Sequence, residues 1–276
     1  MSEARAGSAQ WLREQGLFAR KRFGQHFLLD PQLCAKIARV AGEVAGRHVI
    51  EIGPGPGGLT RALLETEAAS VTAIELDRRF AEALAPLGET SRGRLRVLHA
   101  DALAIDLTTL TPTPRLIVAN LPYNVGTKLL VQWLHAIEAF EGLTLMFQKE
   151  VAERIVARPG GAAYGRLAVL AQSLAEAAIV LDVPARAFTP PPKVASAVVR
   201  LRPRAVRPEA ATLAALETVT AAAFGQRRKM LRAALKPLGA RGPVALAAAD
   251  IDPMRRAETL SIEEFHRLAG AFLSAS

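Results

Sequence analysis

Short apolar runs bounded by turn residues alternate with helix-periodic stretches along most of the chain. His48–Ile52, Val71–Glu75, Arg94–Ala100, Arg115–Ala119 and Leu143–Phe147 are rich in β-branched and aliphatic residues and read as buried strands. Between them, Leu59–Glu67 and Gly126–Phe140 carry a helical repeat, the second with Leu129, Leu130, Trp133, Leu134 and Ile137 on one face. Upstream, Asp30 followed by Pro31 is an N-cap with proline at the first helical position, predicting a helix to about Val44. Strand and helix in alternation imply a parallel, doubly wound sheet. Helices follow at Lys149–Ala157 and Tyr164–Ala175, then strands at Ala178–Val183 and Ser196–Leu201. Only Pro184–Lys193 joins those two strands, a link that suits an antiparallel pair rather than a crossover.

Pro203–Pro208 then punctuates the chain. Beyond it the pattern is helical, over Glu209–Phe224, Arg227–Lys236, Pro243–Ala249 and Ser261–Leu273, the last opened by the capping box Ser261-Ile-Glu-Glu264. Two domains are expected, 1–206 with the sheet and 207–276 helical.

Charge adds a partner. The formal net charge is +9, and Gly225–Lys236 holds five basic residues and no acid. A solvated helix face mixes signs, so a one-sign run favours phosphate contact, here by Arg227, Arg228, Lys229 and Arg232. Arg20, Lys21 and Arg22 form a second basic cluster. The single cysteine, Cys34, sits in an apolar helical pattern and forms no internal disulfide; with no secretory h-region and no apolar run of membrane length, a cytoplasmic protein off the membrane is expected. No metal site is expected.

The candidate chemistry lies at strand ends. The turn Gly53-Pro-Gly55-Pro-Gly57-Gly58 follows the first strand, and Glu75 ends the next, the layout of a nucleoside-binding βαβ unit whose acid accepts from ribose hydroxyls. That layout is shared by nicotinamide, flavin and S-adenosylmethionine sites. The spacing Glu51-x-Gly53-x-Gly55-x-Gly57 departs from the dinucleotide pattern, and its prolines remove backbone donors that a pyrophosphate wants, which favours S-adenosylmethionine. Asp101 ends the third strand, either to accept from an adenine amino group or to cap the turn before Leu103. Asn120-Leu121-Pro122-Tyr123 ends the fourth. Asn120 offers a carbonyl oxygen, the Leu121 carbonyl is kept from helical bonding by Pro122, and Tyr123 offers a flat face, a set suited to a planar base with an exocyclic amine. The plainer reading, Asn120 capping a helix near Thr127, stays open on these four residues. Phe188, before three prolines, is either a second stacking plate opposite Tyr123 or a packed connector residue.

Taken in order, Arg20-Lys-Arg-Phe-Gly-Gln-His-Phe-Leu28, Glu51-Ile-Gly-Pro-Gly55, Ile74-Glu-Leu-Asp77, Asn120-Leu-Pro-Tyr-Asn124, Phe188-Thr-Pro-Pro-Pro-Lys-Val194, Ala223-Phe-Gly-Gln-Arg-Arg-Lys229 and Arg256-Ala-Glu-Thr-Leu-Ser261 resemble the KsgA-type ribosomal RNA adenine dimethyltransferases nearly end to end. The resemblance implies a Rossmann-like class I methyltransferase sheet with a small all-helical carboxyl-terminal domain that binds RNA or the ribosome. It implies dimethylation, from S-adenosylmethionine, of two adjacent adenosines in a hairpin near the 3′ end of 16S rRNA; the expected partner is that RNA within an immature 30S subunit, and the expected state a monomer. It places cofactor contacts on His26, Leu28, Gly53, Glu75, Asp101 and Asn120, with Gly55 in the same turn. His26 stands where some members have Asn, and Ala195 where Asp commonly follows the Lys-Val of the proline linker. Two rivals remain: the large-subunit RNA dimethyltransferases, similar through the catalytic half, and a ribosome-assembly factor acting mainly by binding.

Overall fold

The computed structural model describes residues 9–20 and 24–275. The chain divides into two compact units, one of 1–152 with 178–203, the other of 153–177 with 204–276. The expected single boundary at 206 is therefore amended: 153–177, which includes helix α7 (Arg166–Leu174), belongs with the carboxyl-terminal helices.

The first unit is built on a seven-stranded sheet. Its strands are β2 (His48–Ile52), β3 (Ser70–Glu75), β4 (Leu95–His99), β5 (Arg115–Asn120), β6 (Gly142–Gln148), β7 (Ala175–Val183) and β9 (Ser196–Pro203), in the spatial order β4-β3-β2-β5-β6-β9-β7. Neighbours from β4 to β6 run parallel, and β9 lies antiparallel to β6. Val49 and Ile50, adjacent on β2, are both fully buried. Alternate residues point to opposite faces, so both faces of the sheet are covered, as a parallel sheet requires. One covering layer holds α2 (Pro31–Val40) and α3 (Gly58–Leu64), whose Cys34, Ile37 and Leu63 pack on Val49, Val71 and Val118. The order reverses direction at β2, between β3 and β5. Ligands of open α/β sheets bind at that point, beyond the carboxyl ends of the strands.

Several expectations meet corrections here. The helix from Asp30–Pro31 ends at Val40, capped as expected by the Asp30 side chain accepting from the Gln32 amide. The helix over 126–140 ends sooner, as α5 (Gly126–Leu134), followed by a 3-10 turn at Ile137–Ala139. Its N-cap is Val125, so Asn120 is not a helix cap. Helix α4 (Arg78–Thr90) and a two-residue antiparallel ladder between β1 (Phe27–Leu28) and β8 (Phe188–Thr189) were not foreseen. A short amino-terminal helix, α1 (Ala9–Glu14), precedes them, and Leu12 and Leu17 pack with Phe27 and Phe80.

In the second unit α7 packs with α8 (Ala210–Gly225) and α11 (Ile262–Ser274), and α10 (Arg241–Ala248) packs on α11. Phe224 bridges Tyr164 and Phe265, with ring centroids 6.0 and 5.6 Å away. The capping box at α11 is present with both of its hydrogen bonds. The expected helix over Arg227–Lys236 is instead a turn at 226–229 followed by the four-residue α9 (Leu231–Ala234). Helix α6 (Lys149–Val156) begins in the first unit. No helix among the described residues is long and apolar enough to cross a membrane, and no group of three metal-ligating side chains occurs among them.

Candidate functional site

The carboxyl ends of β2, β3 and β5 open into one cleft of about 1030 Å³, including the solvent at its mouth. Its walls carry nine residues expected from the sequence: His26, Leu28, Gly53, Gly55, Glu75, Asp101, Asn120, Leu121 and Tyr123. The glycine-rich turn makes this possible by close approach. A Cβ on Gly58 would lie 2.4 Å from the Leu28 carbonyl oxygen, so only glycine lets α3 start against the β1 segment. Gly57, with φ 85°, turns the chain into that helix.

Glu75 is buried at the end of β3 and already engaged. Its Oε2 accepts from the Gly55 amide at 3.0 Å and its Oε1 from the Asp77 amide at 2.8 Å. Burial raises its pKa and these two amides oppose the rise. Each oxygen keeps a lone pair for a further donor. Asp101 caps the turn, its Oδ1 accepting from the Leu103 amide at 2.9 Å, and the residue lines the cleft.

At the end of β5, the Asn120 Nδ2 donates to the His26 carbonyl at 3.1 Å. That bond fixes which way the amide points and leaves the acceptor oxygen Oδ1 as the group to be used. Tyr123 is held twice. Its hydroxyl lies 2.6 Å from the Ser196 hydroxyl, and its ring stacks on the His26 imidazole at 5.4 Å between centroids. His26 Nδ1 in turn donates to the Pro190 carbonyl at 2.7 Å, tying the β1 segment to the proline linker. Phe188 is not part of the cleft. Only 3% exposed, it pairs with Leu28 in the β1–β8 ladder and packs into the core, so the expected second plate is corrected to a packed connector.

Three residues were missed. Ser196 and Gln25 act through partners 73 and 52 positions away, the latter by donating to Asp77 at 3.2 Å, and no local pattern signals such pairs. Glu51 could have been found, as an acid inside a buried strand two residues before the glycine turn. It is 1% exposed, lines the cleft, and its Oε2 has no hydrogen-bond partner among the described residues. Burial, reinforced by the charge of Glu75, pushes its pKa up to about 8. A carboxyl so buried takes up its negative charge only when a cation is brought beside it. With Pro54 and Pro56 in the adjoining turn lacking amide donors, the cleft fits a positively charged nucleoside better than a pyrophosphate.

The basic residues separate. Arg227 is held inside its unit, with Nε 2.8 Å from a Glu258 oxygen and Nη2 donating to the Gly161 carbonyl. Its guanidinium is thus tied within the unit while staying partly exposed. Arg228, Lys229 and Arg232 are exposed, as is Arg20. Lys21 and Arg22 lie outside the described residues.

Comparison with known proteins agrees with this architecture. The family model of ribosomal RNA adenine dimethylase matches residues 16–272. The ribosomal RNA small subunit methyltransferase A of Gluconobacter oxydans is 56% identical over 94% of this chain and 84% of its own length. The protein of the same description from Caulobacter vibrioides is 57% identical over 94% and 99%. Among solved structures, the 23S rRNA methyltransferase ErmE is 31% identical with a TM-score of 0.69, covering 89% of this chain and 99% of its own. A dimethyladenosine transferase from Plasmodium falciparum, 26% identical, reaches 0.76 over 88% and 96%. A class I methyltransferase sheet with its cleft at the switch point, and a family match across nearly the whole length, lead to one conclusion: the chain belongs to the ribosomal RNA adenine dimethylases, S-adenosylmethionine-dependent enzymes.

Proposed function

We propose that this protein dimethylates the N6 amino groups of two adjacent adenosines in the 3′-terminal hairpin of 16S rRNA, acting as a cytoplasmic monomer on an immature 30S subunit. The observation that carries the chemistry is the Asn120 amide, locked by the His26 carbonyl so that Oδ1 is the free end beside Leu121 and Tyr123. The choice of small-subunit RNA rests on relatives at 56–57% identity described as small subunit methyltransferases, against 31% for the 23S enzyme.

When bound, S-adenosylmethionine supplies an electrophilic methyl carbon on a sulfonium. Glu51 would take its cationic end, Glu75 its ribose hydroxyls and Asp101 its adenine amine, with Gly53, Gly55 and Leu28 forming the wall. The adenine amino nitrogen is a poor nucleophile because its lone pair is delocalised into the ring. Asn120 Oδ1 and the Leu121 carbonyl accept from its two N–H groups and so favour pyramidal nitrogen as charge develops. Preorganised partners of this kind are each worth about 2.7–4 kcal/mol in the transition state. Tyr123 holds the extruded base by stacking, worth about 1–3 kcal/mol. No base is needed before attack, since the proton leaves afterwards.

The test is mass spectrometry of ribosomal RNA after incubation with labelled methyl donor. Small- and large-subunit RNA are presented naked and as particles. Label in two adjacent dimethyladenosines of the small-subunit 3′ hairpin is expected; label in large-subunit RNA overturns the assignment.

A further inference from the structure

At the amino ends of β5 and β6, away from the cleft, the first unit opens a second cavity of about 460 Å³, including the solvent at its mouth. Gly42, Leu116, Gly142, Thr144, Arg200 and Arg202 line it. The sheet explains why it is there. Leu116 pairs with Gly142 across β5–β6 and Thr144 with Arg200 across β6–β9, so these residues share one face of the sheet. Under α2 and α3 that face is apolar, at Val118, Met146 and Val198. Toward the strand starts it turns polar, and α2 has already ended at Val40; Gly42, at φ 95°, turns the chain after it. Leu116 and Asn120 stand on the same strand about 13 Å apart, so this cavity is separate from the cleft.

The two arginines converge on one spot. A Cβ built on Gly42 would sit 3.9 Å from Arg202 Nη2 and 4.0 Å from Arg200 Nη1. Neither guanidinium has a carboxylate partner among the described residues. The acids on the same wall are engaged elsewhere, Glu141 with Arg47 Nε at 2.9 Å and Glu43 with the Ala45 amide at 3.1 Å. Arg200 spends one of its five donors on the Val40 carbonyl, at 3.5 Å. Thr144, only 3% exposed, stands opposite Arg200 on β6, and its hydroxyl bonds to no described group. A capping role at the end of α2 accounts for Arg200 and leaves Arg202 and Thr144 without a reason. Like charges brought together repel, and an unbonded, largely buried hydroxyl is costly. An anion with several acceptor oxygens, set between the guanidiniums, relieves both.

We propose that this cavity binds the phosphate end of a small phosphorylated molecule, with Arg200 and Arg202 clamping its oxygens and Thr144 donating to one of them. Planar guanidinium forks match phosphate oxygens two at a time. The volume falls in the range of small-ligand pockets. A polynucleotide fits less well. Exposed Glu43 and Glu141 flank the arginines, and they repel an extended polyanion while leaving room for one phosphate.

The experiment is isothermal titration calorimetry of the full chain with inorganic pyrophosphate, at physiological salt and with S-adenosylhomocysteine saturating the cleft. One equivalent of pyrophosphate should bind. Arg202→Ala should weaken it about 10- to 100-fold, and Arg202→Lys should recover only part of the loss, because an ammonium lacks the fork. Thr144→Val keeps the shape and the charge and should weaken binding about two- to tenfold. Arg228→Ala, in the second unit, should bind as wild type. Thermal melting checks that each variant folds, and the exposed Arg202 carries the test if Thr144→Val does not. Absence of binding to the wild type overturns the proposal, as does an Arg202→Ala that binds normally. An equal loss in Arg228→Ala also overturns it, since attraction is then diffuse. The salt dependence of RNA binding separates the other source of phosphate. Arg202→Ala should leave its slope unchanged, and a slope smaller by about one assigns the arginine to RNA and ends the small-ligand reading.

Discussion

Tyr123 shows how much of this site is held by neighbouring side chains. Its hydroxyl is partnered by Ser196, which is fully buried, and its ring by His26. Ser196→Ala should therefore raise KM for RNA several-fold with donor affinity unchanged. It should also lower stability by about 1–3 kcal/mol, since it strands a half-buried hydroxyl. Adding Tyr123→Phe should recover part of that stability, because both partners are then apolar; a double-mutant cycle in urea reads it. Glu51 makes a second residue-scale prediction. Its raised pKa means the folded chain holds a proton that the unfolded chain releases. That contribution to stability is fully present below about pH 4.5 and is lost as pH rises through about 8. Glu51→Gln should therefore gain stability relative to wild type at pH 8 and not at pH 4.5. Donor affinity of the wild type should climb with pH up to about 8 and level off, since a cation binds the ionised carboxylate, and the variant should lose that rise. The residues at strand ends, Glu75, Asp101 and Asn120, were legible because their positions follow from strand boundaries. Ser196 was not, because its partner is brought to it only by the sheet.

At the scale of elements, the central strands were read where they lie, whereas helix α4 was missed, helix ends were set too late and the shortest ladder was not seen. The ladder between Phe27–Leu28 and Phe188–Thr189 has two residues a side, too few for any alternation to show. Yet it is this ladder that removes Phe188 from the cleft. The helix expected over Arg227–Lys236 failed for a different reason: its cations are used one at a time, with Arg227 turned back to Glu258 and Gly161. Arg227→Ala should consequently lower stability by about 1 kcal/mol while barely changing the salt slope of RNA binding, the reverse of Arg228→Ala. Gly58 tests the approach of α3 to the β1 segment. Gly58→Ala drives a methyl into the Leu28 carbonyl and should cost about 1–3 kcal/mol, with donor affinity falling as His26 and Leu28 shift.

For the whole molecule, the sheet was legible and the division of the chain was not. Strand–helix alternation fixes a parallel sheet, but nothing in the composition of 153–177 says that its helix packs with α8 and α11 rather than on that sheet. The two rivals to the proposed function differ at this scale too. The 23S enzyme shares the fold at 31% identity, so fold alone does not choose the RNA. A factor acting by binding alone would have no use for an amide oriented at the mouth of a donor cleft. Single-turnover methyl transfer by Asn120→Ala, with donor affinity measured alongside, tests that most directly. The account predicts that transfer falls about 100- to 1,000-fold while the donor binds within about threefold of wild type. Transfer at the wild-type rate would contradict it.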